Sequence, residues 1–400
     1  MTLLPDLVGD PVPAADRVFL DAMRLLGAVS DAVSGRALGA SAGVASLAAR
    51  LAERHGVDAA GITAAYYAGL LHGIGAIRLK TGSEGWSDRA REIARWDIPL
   101  HGAKIVANVG GLPQATADII RWHCESWDGT GYPDRLRWHG IPSLAMIVNI
   151  ATTFIELGND PSEPRGADEA MYEILGRTGQ AFSVTSVREF RDFFMTNRES
   201  IAEIIEPQLA IDPALAHPDA AIIAVARDVD KRDERSAGRG ERIASFVATT
   251  AAELGWAASV RGDAILAAEL TAFGRMHGGG IRDEFDPLSR LGRDVRAAEG
   301  SAAAAIVAIA PSYARLAVSL RGSSEWFDGT GLPDRKRAAD IDPIARVLAL
   351  ATAYESLVSG PYGLTPSNGP TAATRIIAAS GTQFDPTTVN AFLKAQGVSA

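Results

Sequence analysis

Apolar residues recur at three- and four-residue spacing along most of the chain, against a background rich in Ala, Leu, Arg and Glu. That is the period of an amphipathic helix, and no run of alternating β-branched residues competes with it. The pattern predicts helices over 14–33, 41–54, 59–78 and 143–158, and again near 214–231, 238–254, 263–276 and 342–358. Gly- and Pro-bearing stretches break it at 110–113 (Gly-Gly-Leu-Pro), 158–161 (Gly-Asn-Asp-Pro) and 359–361 (Ser-Gly-Pro), where the backbone leaves the helical region. The fold class this implies is all-α.

The helical pattern is stated twice. Residues 123–133 read His-Cys-Glu-Ser-Trp-Asp-Gly-Thr-Gly-Tyr-Pro, and 323–333 read Ser-Ser-Glu-Trp-Phe-Asp-Gly-Thr-Gly-Leu-Pro. Segments 43–52 and 242–251, 70–77 and 269–276, and 147–154 and 347–354 match at offsets of 199 to 200, and Gly179…Phe182 answers Gly381…Phe384. A near-constant offset over that many landmarks marks an internal duplication. We therefore expect two tandem helical domains, 1–206 and 207–400, divided near Glu206-Pro207 and packed as a pseudo-symmetric pair.

Bulk properties narrow the partners. A chain of 400 residues is long for one core and suits two. A net charge of −9 argues against a dedicated nucleic-acid binder. The single cysteine, Cys124, excludes an internal disulfide framework and fits a reducing compartment. Residues 1–10 lack a basic, apolar leader, and the Ala-rich run 302–310 is too short to span a bilayer. A soluble, cytoplasmic protein without membrane contact is the expectation.

Leu71-His72-Gly73-Ile74-Gly75, the Trp127-to-Pro133 loop with its Gly-Tyr-Pro, and Gly381…Phe384-Asp385-Pro386 carry a resemblance. Each half resembles an HD-GYP domain, the all-helical branch of the HD superfamily whose active members are metal-dependent cyclic di-GMP phosphodiesterases. Such a domain implies His and Asp side chains that hold two or three iron or manganese ions, which activate water against a phosphodiester. In the first half those positions fall at Ala40, His72, Gly73, Ile98, His123, Cys124 and Thr152. In the second they fall at Arg239, Thr271, Ala272, Ser323, Ser324 and Thr352. His101 lies near Ile98 but three residues on, toward another part of the helix surface.

The resemblance implies basic phosphate-gripping residues where the first half has Ala76 and Met146 and the second has Arg275 and Arg346. Guanidinium groups grip phosphate without a metal, so Arg275 and Arg346 are candidate ligand-binding residues; ordinary salt bridges are the alternative. The loop residues Asp128, Gly129, Gly131, Tyr132, Asp328, Gly329 and Gly331 are structural turns first. By the resemblance they are also a surface for a protein partner such as a diguanylate cyclase domain. Trp122, Trp127 and Trp138 cluster by the first loop, with packing as their default role. His277-Gly278-Gly279-Gly280 looks like an esterase oxyanion loop, but no Gly-x-Ser-x-Gly elbow accompanies it.

The leading functional expectation is a catalytically inactive regulatory or scaffold protein of bacterial signalling, a pseudo-phosphodiesterase that binds a protein partner or a cyclic dinucleotide. It needs no cofactor, and a homodimer is compatible with it. The competing expectation is a metal-dependent cyclic di-GMP phosphodiesterase or phosphohydrolase. Its reduced first-half site would hold one iron, manganese or zinc ion on His72, His123 and Cys124.

Overall fold

The computed structural model describes residues 14–79, 88–158, 166–201, 203–207, 209–210, 214–232, 237–276, 285–360 and 365–397. The N-terminal ten residues, the turn beyond Gly158 and the His277–Gly280 stretch lie outside them.

Among the described residues, eight α-helices of the first half are answered in order by eight of the second. They are α1 (Ala14–Val33), α2 (Ala40–His55), α3 (Ala59–Leu71), α4 (Asp88–Val106), α5 (Ala115–Trp122), α6 (Ser143–Gly158), α7 (Ala167–Gly176) and α8 (Val184–Asn197). Their counterparts are α9 (Pro218–Asp230), α10 (Arg239–Glu253), α11 (Ala258–Leu270), α12 (Arg290–Val307), α13 (Ala314–Gly322), α14 (Pro343–Ser359), α15 (Gly369–Ala378) and α16 (Pro386–Ala395). Among the described residues the only β pairing is an isolated bridge in each copy, Thr178–Phe182 and Ser380–Phe384. The protein is all-α and duplicated. Glu206 and Pro207, where the division is expected from the sequence, lie outside the helices and between α8 and α9.

Local chemistry sets the helix starts. Asp58 caps α3 by accepting from the Gly61 amide at 2.8 Å, and Ser183, Ser289 and Asp342 do the same for α8, α12 and α14. The cap of α2 comes from another helix. Asp31, buried at the end of α1, accepts from the amides of Gly39 at 2.9 Å and Ser41 at 3.1 Å. Asp230 plays the same part for α10, accepting from the Gly240 amide at 2.6 Å.

Two helices predicted as continuous to residues 78 and 276 stop earlier. After Leu71 and Leu270 the chain tightens into 3-10 turns, Ile74–Arg78 and Thr271–Met276. The cause is close packing against the following helix. A Cβ on Gly75 would clash with the Ile98 carbonyl and sit 2.5 Å from the Gly102 amide; one on Gly274 would lie 2.7 Å from the Glu299 carbonyl carbon. Apolar periodicity continues through both turns, so sequence pattern alone extends the helix. Gly75→Ala is expected to cost about 1–3 kcal/mol through this overlap. A lower urea midpoint at unchanged slope would report it.

One apolar core runs through both copies, with Phe19, Leu25, Tyr67 and Phe194 on one side and Ile222, Phe273 and Leu320 on the other. A second cluster, including Tyr354, Phe384 and Phe392, lies under α14–α16. Helix α1 packs on α9 at the junction. Two polar ties reinforce it: buried Asp21 accepts from the Ser312 amide and hydroxyl at 2.9 and 2.6 Å, and Arg78 pairs with Asp228. No described helix is long and apolar enough to cross a membrane.

Candidate functional site

In the first copy, the ends of α3 and α5, the start of α2 and one face of α6 surround an open cleft of about 1030 Å³. Its lining includes Arg36, Ala40, His72, Arg95, His123, Cys124, Tyr132, Thr152 and Glu156. The duplicated place in the second copy is a void of about 30 Å³, bordered by Arg239, Thr271, Arg275, Arg296, Ser323 and Thr352. Same scaffold, opposite outcome.

His72 and His123 do come together, with ring centroids 5.6 Å apart. Each is almost fully buried, and each Nδ1 is 2.7 Å from the carbonyl three residues back, of Gly69 and of Ile120. Those bonds place the proton on Nδ1 and leave Nε2 as an acceptor facing the cleft, the orientation metal-binding imidazoles use. Burial lowers both imidazole pKa values, helped at His72 by Arg36, so both rings are neutral at pH 7.

Both Nε2 lone pairs are already engaged. That of His72 receives a hydrogen bond from Arg36 Nη1. That of His123 lies 3.3 Å from Cys124 Sγ. Burial pushes the Cys124 thiol up to about 12, so it stays protonated and donates S–H to the ring. Arg36 Nη1 also donates to Glu156 Oε1 at 3.0 Å. Partial burial opposes ionisation of Glu156, but the Arg36 guanidinium outweighs it and holds the carboxyl below the usual range.

This donor set does not fit the family's metal centre. No described group of three or more His, Cys, Asp and Glu side chains has the arrangement to hold an ion. Gly73, Ile98 and Thr152 supply no ligand where the resemblance requires one, and His101 does not line the cleft. Sequence reasoning had missed Arg36 and Glu156. Glu156 could have been found, since it lies one turn beyond Thr152 on α6 and shares its face. Arg36 sits in the turn before α2, where no periodicity points to it.

Arginines fill the second copy. Arg239, 2 % exposed, stands at the position of Ala40. Its Nε donates to Glu355 at 2.9 Å and its Nη2 to Ser356 Oγ at 3.0 Å. Arg296, four residues before Gly300 as Ile98 is before Gly102, is buried, and its pKa falls to about 10. Thr271 and Ser323 keep the carbonyl bonds that anchor His72 and His123, donating to Ala268 and Leu320 at 2.7 Å each. The anchors persist without the imidazoles. Arg275 borders the void but pairs with Asp230. Arg346 pairs with Asp385 at 3.0 Å and does not line the void. The two candidate phosphate grips are thus not brought together, and each is matched by an internal carboxylate.

The repeated loop is built alike in both copies. Buried Glu125 accepts from the amides of Asp134 and Leu136 at 2.7 and 3.0 Å; Glu325 accepts from Asp334 and Lys336 at 2.6 and 3.1 Å. Asp128 and Asp328 close turns onto Thr130 and Thr330. Gly129 and Gly329 adopt φ of 83° and 86°, and Tyr132-Pro133 and Leu332-Pro333 are cis. A Cβ on Gly131 would lie 2.6 Å from the Cys124 carbonyl, and one on Gly331 2.5 Å from Glu325 Cα. Tyr132 differs from the rest: its ring lines the cleft and stacks on Trp96 at 6.0 Å. Trp138 is exposed, Trp122 donates to Asp134, and Trp127 meets His139 edge-on.

A family model described as an HD domain matches residues 24–182 and again 224–388. A cyclic di-GMP phosphodiesterase of Thermotoga maritima is 31% identical over 153 residues, 36% of this chain and 41% of that protein. The 3'3'-cGAMP-specific phosphodiesterase 3 of Vibrio cholerae is 24% identical over 264 residues, 62% of this chain and 56% of that protein. The chain spans about half the length of these curated relatives. The crystal structure of a cyclic GMP-AMP specific phosphodiesterase of V. cholerae, V-cGAP3, superposes with a TM-score of 0.67 over 95% of this chain and 98% of that one. At 17% identity this is a likeness of fold. With two successive family matches laid over two equivalent helical bundles, the chain belongs to the HD domain family, as two tandem degenerate copies of the HD-GYP type.

Proposed function

We propose that the first copy is a cyclic-dinucleotide site and the second a scaffold that supports it. The observation that carries this reading is the contrast in volume, an open cleft of about 1030 Å³ against a filled void of about 30 Å³. Ligand pockets run to about 1,000 Å³, so the first is large enough for a dinucleotide. Its lining offers the chemistry such a ligand needs. Arg95 presents an exposed guanidinium to phosphate, and the Tyr132 ring offers a face on which a base can stack. A site that holds its ligand uncleaved serves as a sensor, and its occupancy is passed to a protein partner.

Hydrolysis is the second reading. The activities named for the relatives favour it, as does the convergence of His72, His123 and Glu156 in one cleft. One experiment separates the two. Purified full-length chain is titrated with cyclic di-GMP and 3'3'-cGAMP by calorimetry, and the ligand is recovered and chromatographed with and without manganese. Saturable binding with intact ligand supports the sensor; a metal-dependent linear product establishes the enzyme; no binding rejects both. Tyr132→Leu installs the residue of the second copy at the equivalent position. It is expected to weaken binding by about 1–3 kcal/mol, the value of one stacked base. The unfolding midpoint should barely move.

A further inference from the structure

We infer that the guanidinium of Arg36 has taken the place of the metal cation in the first copy, and that the loss of the carboxylate at position 73 is what admits it. One nitrogen, Arg36 Nη1, donates to both His72 Nε2 and Glu156 Oε1, acceptors that lie 3.9 Å from each other. Bridging an imidazole lone pair and a carboxylate is the task of a cation, and here the chain supplies it. The other end of the same guanidinium donates to Ser30 Oγ at 3.2 Å, and its Nε lies 3.5 Å from buried Asp31.

Gly73 is the second observation. A Cβ at this position would collide with Arg36 Nη2 and lie 2.8 Å from Ser30 Oγ. Any side chain there, an aspartate included, needs the space that Arg36 occupies. Removing the carboxylate and inserting the guanidinium are therefore one exchange: an anion is lost, and a permanent cation arrives that no change near neutral pH can discharge.

The second copy also carries a guanidinium in its cavity, supplied by a different residue. Arg36 reaches its cavity from the turn before α2, whereas Arg239 enters as the first residue of α10. Arg239 bonds Ser356, which stands at the position of Glu156. Two copies thus arrived at a resident guanidinium by separate routes. This inference concerns the cleft's own side chains and does not depend on a ligand being held there; metal-dependent cleavage in this cleft would contradict it.

The test is binding of cobalt(II) alone to the full-length chain, read by calorimetry and by visible absorption. Unaltered protein should show no stoichiometric binding. Arg36→Met frees His72 Nε2 and Glu156 and is expected to raise cobalt affinity at least about tenfold, the scale of effect of a neighbouring group on a metal site. Arg36→Lys keeps a cation and should behave as the unaltered chain, and Arg36→Met with His72→Ala should lose the gain. Gly73→Ala, which crowds Arg36 outward, gives an independent route to the same increase. Stoichiometric cobalt on the unaltered chain that is lost with His72→Ala would overturn the inference. So would a folded Arg36→Met or Gly73→Ala variant that binds cobalt no better. Should both variants fail to fold, equimolar zinc must leave the His72 side-chain nitrogen resonances of the unaltered chain in place; a shift refutes it.

Discussion

Glu355→Ala is expected to destabilise the chain by about 3–5 kcal/mol, the scale for leaving a buried charge without its partner. Glu355 is fully buried and accepts from Arg239 Nε at 2.9 Å and from Arg242 at 3.1 and 2.7 Å. Arg242 is 40% exposed and can turn to water when the carboxylate goes. Arg239 is held where water does not reach, so it carries the cost. Arg239→Met with Glu355→Leu removes both charges and should restore most of the loss, because an apolar replacement of a buried pair is close to neutral. Urea unfolding of the three variants decides it; a loss below about 1 kcal/mol for Glu355→Ala would place the pair on the level of a surface bridge.

The same pair has a pH signature. Burial alone would raise the Glu355 carboxyl, but Arg239 and then Arg242 outweigh it and hold it below the ordinary range. A carboxyl depressed on folding contributes stability above its unfolded pKa, and that contribution fades as pH falls through the folded value. Stability of the unaltered chain should therefore drop on acidification, and Glu355→Ala should flatten that part of the profile.

Much of this architecture was legible in the residues. Three- and four-residue spacing gave the principal helices, and the offset near 200 announced that the plan occurs twice. The loop was legible for a steric reason: Gly129 and Gly329 need left-handed angles, and Gly131 and Gly331 leave no room for a Cβ. What the pattern could not give was the filling of the cavities. Arg275 and Arg346 stand at phosphate-gripping positions, but their partners Asp230 and Asp385 are remote in sequence, and only packing brings them together. Arg36 was invisible for a similar reason. Its significance lies in the collision between its guanidinium and any Cβ at position 73, a three-dimensional fact with no linear trace.

If volume is what separates the two copies functionally, one substitution should convert the first into the second. Ala40→Arg places a guanidinium at the first residue of α2, where α10 carries Arg239. Ala40 already lines the open cleft, so the new side chain enters it rather than solvent. It finds an acceptor in Glu156, at the position of the Ser356 that Arg239 engages. The half-exposed Glu156 carboxylate, already paired with Arg36, can turn to share itself between the two guanidiniums, and the open cleft lets solvent screen the added charge. The helix keeps its Asp31 cap, because that bond uses the Gly39 and Ser41 amides and not the side chain at 40. Stability should change by less than about 1 kcal/mol, as for other partly exposed pairs. Binding of cyclic di-GMP or 3'3'-cGAMP should fall by about 100-fold, roughly 2.8 kcal/mol. The loss arises because the arginine occupies volume the ligand needs and must be expelled from its ion pair first. Calorimetry beside urea unfolding on the same sample measures both. A folded Ala40→Arg protein that binds cyclic dinucleotide as tightly as the unaltered chain would move the ligand site out of this cleft.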